Sequence, residues 1–144
     1  MNAILGFQYP DGSHMPLSNF YPSPLTYGGI EYPTVEHAFQ ASKSLEDYVR
    51  RQVAAVPTPG KAKKMGRALV IRMDWESVKI GVMRDLVRLK FSDPTLAPWL
   101  VSTGDAYLEE RNTWGDRFWG VDGTGENWLG FILMGVRAEW RSRL

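Results

Sequence analysis

Ten residues, Thr34 to Lys43 (TVEHAFQASK), constrain this chain more than any other stretch. Pro33 brings the chain in extended and Thr34 suits an N-cap, so the pattern predicts a helix. At about 100° per residue, Glu36, Gln40 and Lys43 fall on one narrow stripe. Val35, Ala38, Phe39, Ala41 and Leu45 cover much of the remaining surface. A helix that is apolar over most of its circumference is a buried helix. This one therefore takes a carboxylate, an amide and an amine into the interior on a single line. Uncompensated buried charge is expensive, so these groups must pair with one another or face a cavity. Glu36 and Lys43 stand two turns apart, roughly 10 Å along the axis. That is long for a direct ion pair, although a lysine can lean back, and it is also room for a small polar substrate. Residue types alone leave both readings open.

The rest of the chain divides into short pieces around this helix. Residues 4–9 have the content of a strand, and Pro10 to Ser13 is a turn signal. Leu25 to Tyr27 and Ile30 to Tyr32 flank Gly28-Gly29, the pattern of a hairpin. A second helix is expected over residues 46–56. A third is expected over 58–67, with Thr58 as N-cap and Pro59 at its first position. Gly66 weakens this third helix, and its use is to let another backbone or a ligand approach closely. Asp74 should cap a long helix to about Ser92, with Trp75, Val78, Val82, Leu86 and Leu89 as its core stripe. A shorter helix begins at Asp93-Pro94 and ends near Gly104. Residues 107–111 read as strand or irregular, and 112–125, with four Gly and two Trp, as an ordered loop. A final helix over 126–143 should face Leu129, Ile132, Leu133, Val136 and Trp140 inward. The expected fold is predominantly α with a small antiparallel β element, an α+β single domain spanning residues 1–144.

Composition narrows the chemistry. The 144-residue chain has no Cys and two His, which excludes disulfides, a thiol nucleophile and the usual structural zinc site. No metal and no organic cofactor are expected. No signal peptide and no membrane span are evident, so a soluble cytoplasmic protein without an obligate protein partner is the expectation. A net charge of +1 argues against broad, non-specific nucleic-acid binding. Charge is local instead, at Lys61, Lys63, Lys64, Arg67 and Arg72, and again at Arg137, Arg141 and Arg143. Such runs are either solvated helix faces or phosphate contacts.

Several further residues carry two readings each. Ser18 and Asn19, before Phe20, either satisfy their own loop backbone or clamp a ribose hydroxyl or base edge. Trp119 is a core aromatic or a stacking surface for a base. Asp116 is a turn cap or the second carboxylate that a glycosidase uses. Asp122 shares its loop. Asn127 closes the segment GTGEN, which lacks the lysine of a nucleotide-triphosphate loop but suits a pyrophosphate contact. Trp75 is most simply core.

Residues 17–22 (LSNFYP) followed by 32–43 (YPTVEHAFQASK) resemble the signature of the YbiA/NADAR family of N-glycosidases. Ordered matches continue through 62–67 (AKKMGR), Asp74-Trp75, Met83-Arg84, Lys90-Phe91, Thr103-Gly104, 116–120 (DRFWG), 127–130 (NWLG), Leu133-Met134 and Arg137. The likeness runs from about Gly6 to the end. It implies cleavage of a C–N bond at ribose C1′, in either of two substrate kinds. One is ADP-ribose attached to guanine in DNA or RNA. The other is a phosphorylated ribosyl-pyrimidine intermediate of riboflavin synthesis. It also implies that Glu36, Lys43 and Asp116 are catalytic. By the same likeness Ser18, Asn19, Phe20, Gln40, Arg67, Trp75, Trp119, Asp122 and Asn127 bind substrate. A non-catalytic module that binds ADP-ribose would use the same phosphate and stacking residues without needing Glu36.

Overall fold

The computed structural model describes residues 2–143. Its elements follow in chain order: β1 (Ala3–Leu5), β2 (Leu25–Tyr27), β3 (Ile30–Tyr32), α1 (Val35–Ala41), α2 (Asp47–Ala55), α3 (Pro59–Arg67), α4 (Trp75–Lys90), α5 (Leu96–Ser102), β4 (Tyr107–Glu109) and α6 (Trp128–Arg141). Helix dominates with a small sheet component, as expected of an α+β protein. The chain forms two compact units, Asn19–Lys90 and the residues on either side of it.

In Asn19–Lys90 the Gly28-Gly29 turn has φ of 59° and 81°, the mirror-image turn that matches strand twist in a tight hairpin. It sets the antiparallel register Leu25↔Tyr32, Thr26↔Glu31, Tyr27↔Ile30. The chain then enters α1, whose seven residues are all buried. Around α1 pack α2, α3 and α4. The Thr34 hydroxyl accepts from the His37 backbone N–H at 3.2 Å, and His37 Nδ1 lies 2.8 Å from that same hydroxyl. His37 Nε2 reaches the Val56 carbonyl at 2.9 Å. Burial disfavours the charged ring, and the neutral imidazole fits here as the tautomer whose Nε2–H donates to the Val56 carbonyl and whose Nδ1 accepts from the Thr34 hydroxyl. Helix α3 begins as its sequence demands, with the Thr58 hydroxyl accepting from Lys61 N–H at 3.1 Å and Pro59 in the first turn.

Helix α4 corrects the expected core stripe. Trp75, Val82, Met83, Leu86, Val87 and Lys90 are buried, whereas Leu89 is 39% exposed. Positions 75, 79, 82, 83, 86 and 90 make a continuous helical face, and two of them, Lys79 and Lys90, are lysines that a purely apolar count passes over. Lys90 lies with its amine over the Tyr21 ring, 5.6 Å from the centroid, a cation–π placement that helps to accommodate the buried charge. Asp74 does not cap through its side chain as expected. Its carboxylate takes two hydrogen bonds from Arg72, at 2.6 and 3.0 Å.

In the other unit, β1 pairs in parallel with β4, Ala3↔Tyr107 to Leu5↔Glu109. The expected strand 4–9 is cut short by Gly6 at φ 83°. The antiparallel element expected from sequence is the β2–β3 hairpin, and this parallel pair is additional to it. Leu129, Ile132, Leu133 and Val136 of α6 are buried as expected, and Trp140 is half-buried. The C-terminal arginines have structural employment. Arg137 donates to the Thr103 hydroxyl at 3.0 Å and the Ala106 carbonyl at 2.9 Å. Arg141 binds Asp105 at 2.9 Å and the Gly104 carbonyl, and Arg143 lies over the Trp140 ring. Among the described residues no helix is long and apolar enough to cross a membrane.

Burial lowers the His37 pKa from the ordinary 6.5, against a smaller raising effect of the Val56 hydrogen bond. The unfolded chain therefore binds a proton at a pH where the folded protein does not. The stabilisation is complete above about pH 6.5 and is lost as pH falls through the lower folded value, by at most about 1.4 kcal/mol per pH unit. Thermal melts from pH 7.5 to 5.5 should show Tm falling over this range, with a smaller fall in His37→Gln. An equal fall in both proteins would place the sensitivity elsewhere.

Candidate functional site

The polar row of α1 is built from its first turn. The Asn19 carbonyl accepts from Glu36 N–H at 3.1 Å, which ties the loop before the hairpin to the head of the helix. Glu36 is 7% exposed, and its Oε2 accepts from Gln40 Nε2 at 2.6 Å. Gln40 is 5% exposed. Its Oε1 is buried without a hydrogen-bond partner, a condition that costs about 1–3 kcal/mol. That oxygen lies against Gly66 of α3, where an added Cβ would sit 1.9 Å from it. The close approach expected at Gly66 is therefore made by a side chain of α1.

Lys43 lies just beyond the helix rather than on it. Ser42 caps α1, and the chain tightens there, with Lys43 N–H bonded to the Gln40 carbonyl at 3.2 Å and Ser44 N–H to Ala41 at 3.1 Å. In such a turn residues three apart eclipse one another. The tightening turns Lys43 back toward Gln40, relative to the roughly 60° that a continued α-helix would have put between them. Its carbonyl accepts from Arg72 N–H at 2.8 Å, which fixes the turn. The Lys43 amine is half-buried, and burial pushes its pKa below the ordinary lysine value. Arg67, Lys63 and Lys79 add to that effect and Glu36 opposes it. An amine that gives up its proton more readily is a better nucleophile at neutral pH.

Two helices besides α1 thus contribute to the surroundings of Lys43. Arg67 ends α3 and is exposed; Lys63 lies one turn earlier. Lys79 comes from α4, pairs with Glu76 at 2.7 Å, and was not anticipated. Its signal was available, as a lysine one turn after buried Trp75 and one turn before buried Met83. Trp75 itself is 6% exposed and packs on the Phe39 ring, 5.1 Å between centroids, so its surface is spent on joining α1 to α4. Asn19 directs its amide N–H₂ at the Met83 sulfur, 3.6 Å away, a weak acceptor that a ligand oxygen would outcompete. Phe20 is half-buried.

The remaining anticipated residues belong to the other unit. Ser18 Oγ is 3.1 Å from His14 Nδ1. Asp116 Oδ1 accepts from the Phe118 and Trp119 backbone N–H groups at 3.2 and 2.9 Å, the geometry of a turn cap. Trp119 is half-buried and packs edge-on against Phe118. Asp122 Oδ2 accepts from Gly115 N–H at 2.9 Å. The organiser of this loop is Asn112, not anticipated from sequence. It donates to the Asp116 carbonyl at 2.8 Å and accepts from Asp116 N–H at 3.0 Å. Asn127 is 2% exposed with φ 54°, which ends α6 at its N-terminal side, later than expected. Its Oδ1 accepts from Glu110 N–H, and its Nδ2 donates to the Leu108 carbonyl and the Tyr107 hydroxyl. Those bonds use the whole amide, leaving no donor for pyrophosphate.

Among the described residues no group of three or more His, Cys, Asp or Glu is placed to hold a metal ion.

Comparison with known proteins brings these residues into one lineage. The NADAR domain profile matches residues 7–141. The chain is 37% identical to the N-glycosidase YbiA of Escherichia coli, over 96% of this chain and 89% of that protein. It is 40% identical to a riboflavin biosynthesis protein of Vibrio vulnificus, over 96% of this chain but 39% of that longer protein. The NMR structure of E. coli YbiA superposes with a TM-score of 0.82 at 33% identity, covering 99% of this chain and 90% of the other.

Asn127→Ala should lower the unfolding free energy by roughly 2–4 kcal/mol, from the unpaired Glu110 N–H and Leu108 carbonyl and the left-handed backbone that asparagine tolerates better than alanine. Denaturant unfolding measures this. An Asn127→Ala protein of unchanged stability would contradict the structural employment of this side chain.

Proposed function

The chain belongs to the NADAR family, and from that membership we propose that it is an N-glycosidase that hydrolyses the C1′–N bond of a phosphorylated ribosyl substrate. The names of its relatives, N-glycosidase and riboflavin biosynthesis protein, support the reaction class. Two substrates fit the proposal: ADP-ribose on guanine, and a phosphorylated ribosyl-pyrimidine of riboflavin synthesis. The observation that carries the reading is the buried Glu36 carboxylate, hydrogen-bonded to Gln40 and acting electrostatically on an amine whose pKa is lowered. An ion pair that served only to close the core would not need an exposed arginine and two further lysines about the same amine, which oppose its charge.

Breaking C1′–N builds positive charge on the sugar ring. Glu36 stabilises that charge, or takes a proton from water or the 2′-hydroxyl. In one route water attacks C1′ directly and the base leaves with the proton. In the other the Lys43 amine attacks C1′, the C1′–N bond to the base breaks, and the ring opens to an imine. Water then hydrolyses the imine, releasing the sugar and restoring the amine. Arg67, with Lys63 and Lys79, all of which act on the Lys43 amine, holds the phosphate. The balance needs no redox partner, and no metal is proposed.

Incubation with both candidate substrates in EDTA, with product masses compared, tests the proposal. We expect a free base and a free ribosyl product from at least one substrate. Binding of ADP-ribose without product would identify a binding module instead, and activity restored only by a divalent cation would overturn metal independence. For the imine route, borohydride added during turnover should fix the sugar to Lys43, and Lys43→Arg should give no adduct. A largely active Lys43→Arg enzyme without adduct in the wild type would remove that route and leave Glu36 as the principal group.

A further inference from the structure

We infer that Gln40 is a positioning residue that holds the Glu36 carboxylate in one orientation, and that Gly66 is the residue of α3 that makes this possible. The inference rests on the role proposed above for Glu36. Gln40 was anticipated as a substrate contact, but its geometry points inward to the protein. Its Nε2 is 2.6 Å from Glu36 Oε2, a short contact for an N–H donor to a carboxylate. Its other end is the buried oxygen that lacks a partner.

Buried amides normally satisfy both ends, and an exception asks for a cause. Turning the amide over would not remove the defect while Glu36 is ionised. It would set two acceptors face to face at the same short distance. The carboxylate therefore selects the orientation, and the unpaired oxygen is the consequence. When Glu36 takes up a proton the preference reverses, because the carboxyl O–H can then donate to Oε1 of the turned amide. Each amide orientation thus matches one protonation state of Glu36.

The space for this is specific. A Cβ at Gly66 would lie 1.9 Å from Gln40 Oε1, 2.6 Å from its Cδ and 3.1 Å from its Cβ. Gly66 is buried within α3, so the methyl has no route around the amide. Any side chain there displaces Gln40 and, through it, the carboxylate. Glycine in a helix interior is otherwise unfavourable relative to alanine, and the contact with Gln40 explains its presence.

The test separates positioning from packing. Gln40→Met has similar length and no donor. We expect kcat to fall about 10- to 100-fold with KM within about twofold. The acid limb of the kcat profile should move to higher pH, because a carboxylate that loses a hydrogen bond to its charged form protonates more easily. An unmoved acid limb overturns the inference. Gly66→Ala should lower Tm in the native background but not in Gln40→Ala, where the shortened side chain leaves room for the methyl. Equal losses in both backgrounds also overturn it. Wild-type protein that turns over neither substrate would remove the glycosidase reading alone. The Gln40 side-chain amide resonance, identified by its absence in Gln40→Met, should still titrate with one acid transition. A resonance indifferent to pH would refute the positioning role.

Discussion

A carboxylate can sit in a protein interior only if donors replace the water it has lost. In this chain that requirement falls on a helix with no exposed residue. The Glu36 side chain takes the Gln40 amide, and the Gln40 amide in turn needs a glycine on the neighbouring helix. The Asn19 carbonyl meets the Glu36 backbone, and the neutral His37 holds the helix start to Thr34 and to the end of α2. Helices α2, α3 and α4 then cover the outside of α1. Much of the unit from Asn19 to Lys90 can be understood as the enclosure of one polar row.

The row ends where the helix does. The tightened turn at Ser42 turns Lys43 back toward Gln40, and the carbonyl of Lys43 is held from Arg72, whose guanidinium is held by Asp74. The residue that was expected to cap α4 therefore steadies the turn that carries the amine. Lys63, Arg67 and Lys79 lie close enough to depress the amine's proton affinity. A cluster of like charges is unfavourable by itself, and an anionic substrate would relieve it.

What was legible in the sequence is what depends on neighbours in the chain. The Gly-Gly hairpin, the Thr34 and Thr58 caps and the all-round burial of α1 are local patterns, and each is found. The need for a close approach at Gly66 was legible as well, but its partner was not, because a glycine does not name what it admits. The parallel pairing of Ala3 with Tyr107 leaves no mark on either segment. Lys79 and Lys90 escaped because a charged residue on a core face reads as a gap in the stripe, and Leu89 was counted in their place. Asp116 and Asn127 show the opposite difficulty. Their side chains suit ligand contacts in sequence, while their bonds go to the surrounding backbone. Polar loop residues often satisfy their own chain first, and sequence alone does not tell which backbone groups lack a partner.

The central claim is that the buried carboxylate of α1 acts on the reacting sugar. Glu36→Gln preserves the shape of the side chain and removes its charge and basicity. Steady-state kinetics with a binding measurement on the same variant should show substrate bound nearly as well as by the wild type. They should also show kcat reduced at least about a hundredfold, in the range of a positioned acid–base group. A fully active Glu36→Gln enzyme would contradict the account, leaving the buried row as structure without chemistry.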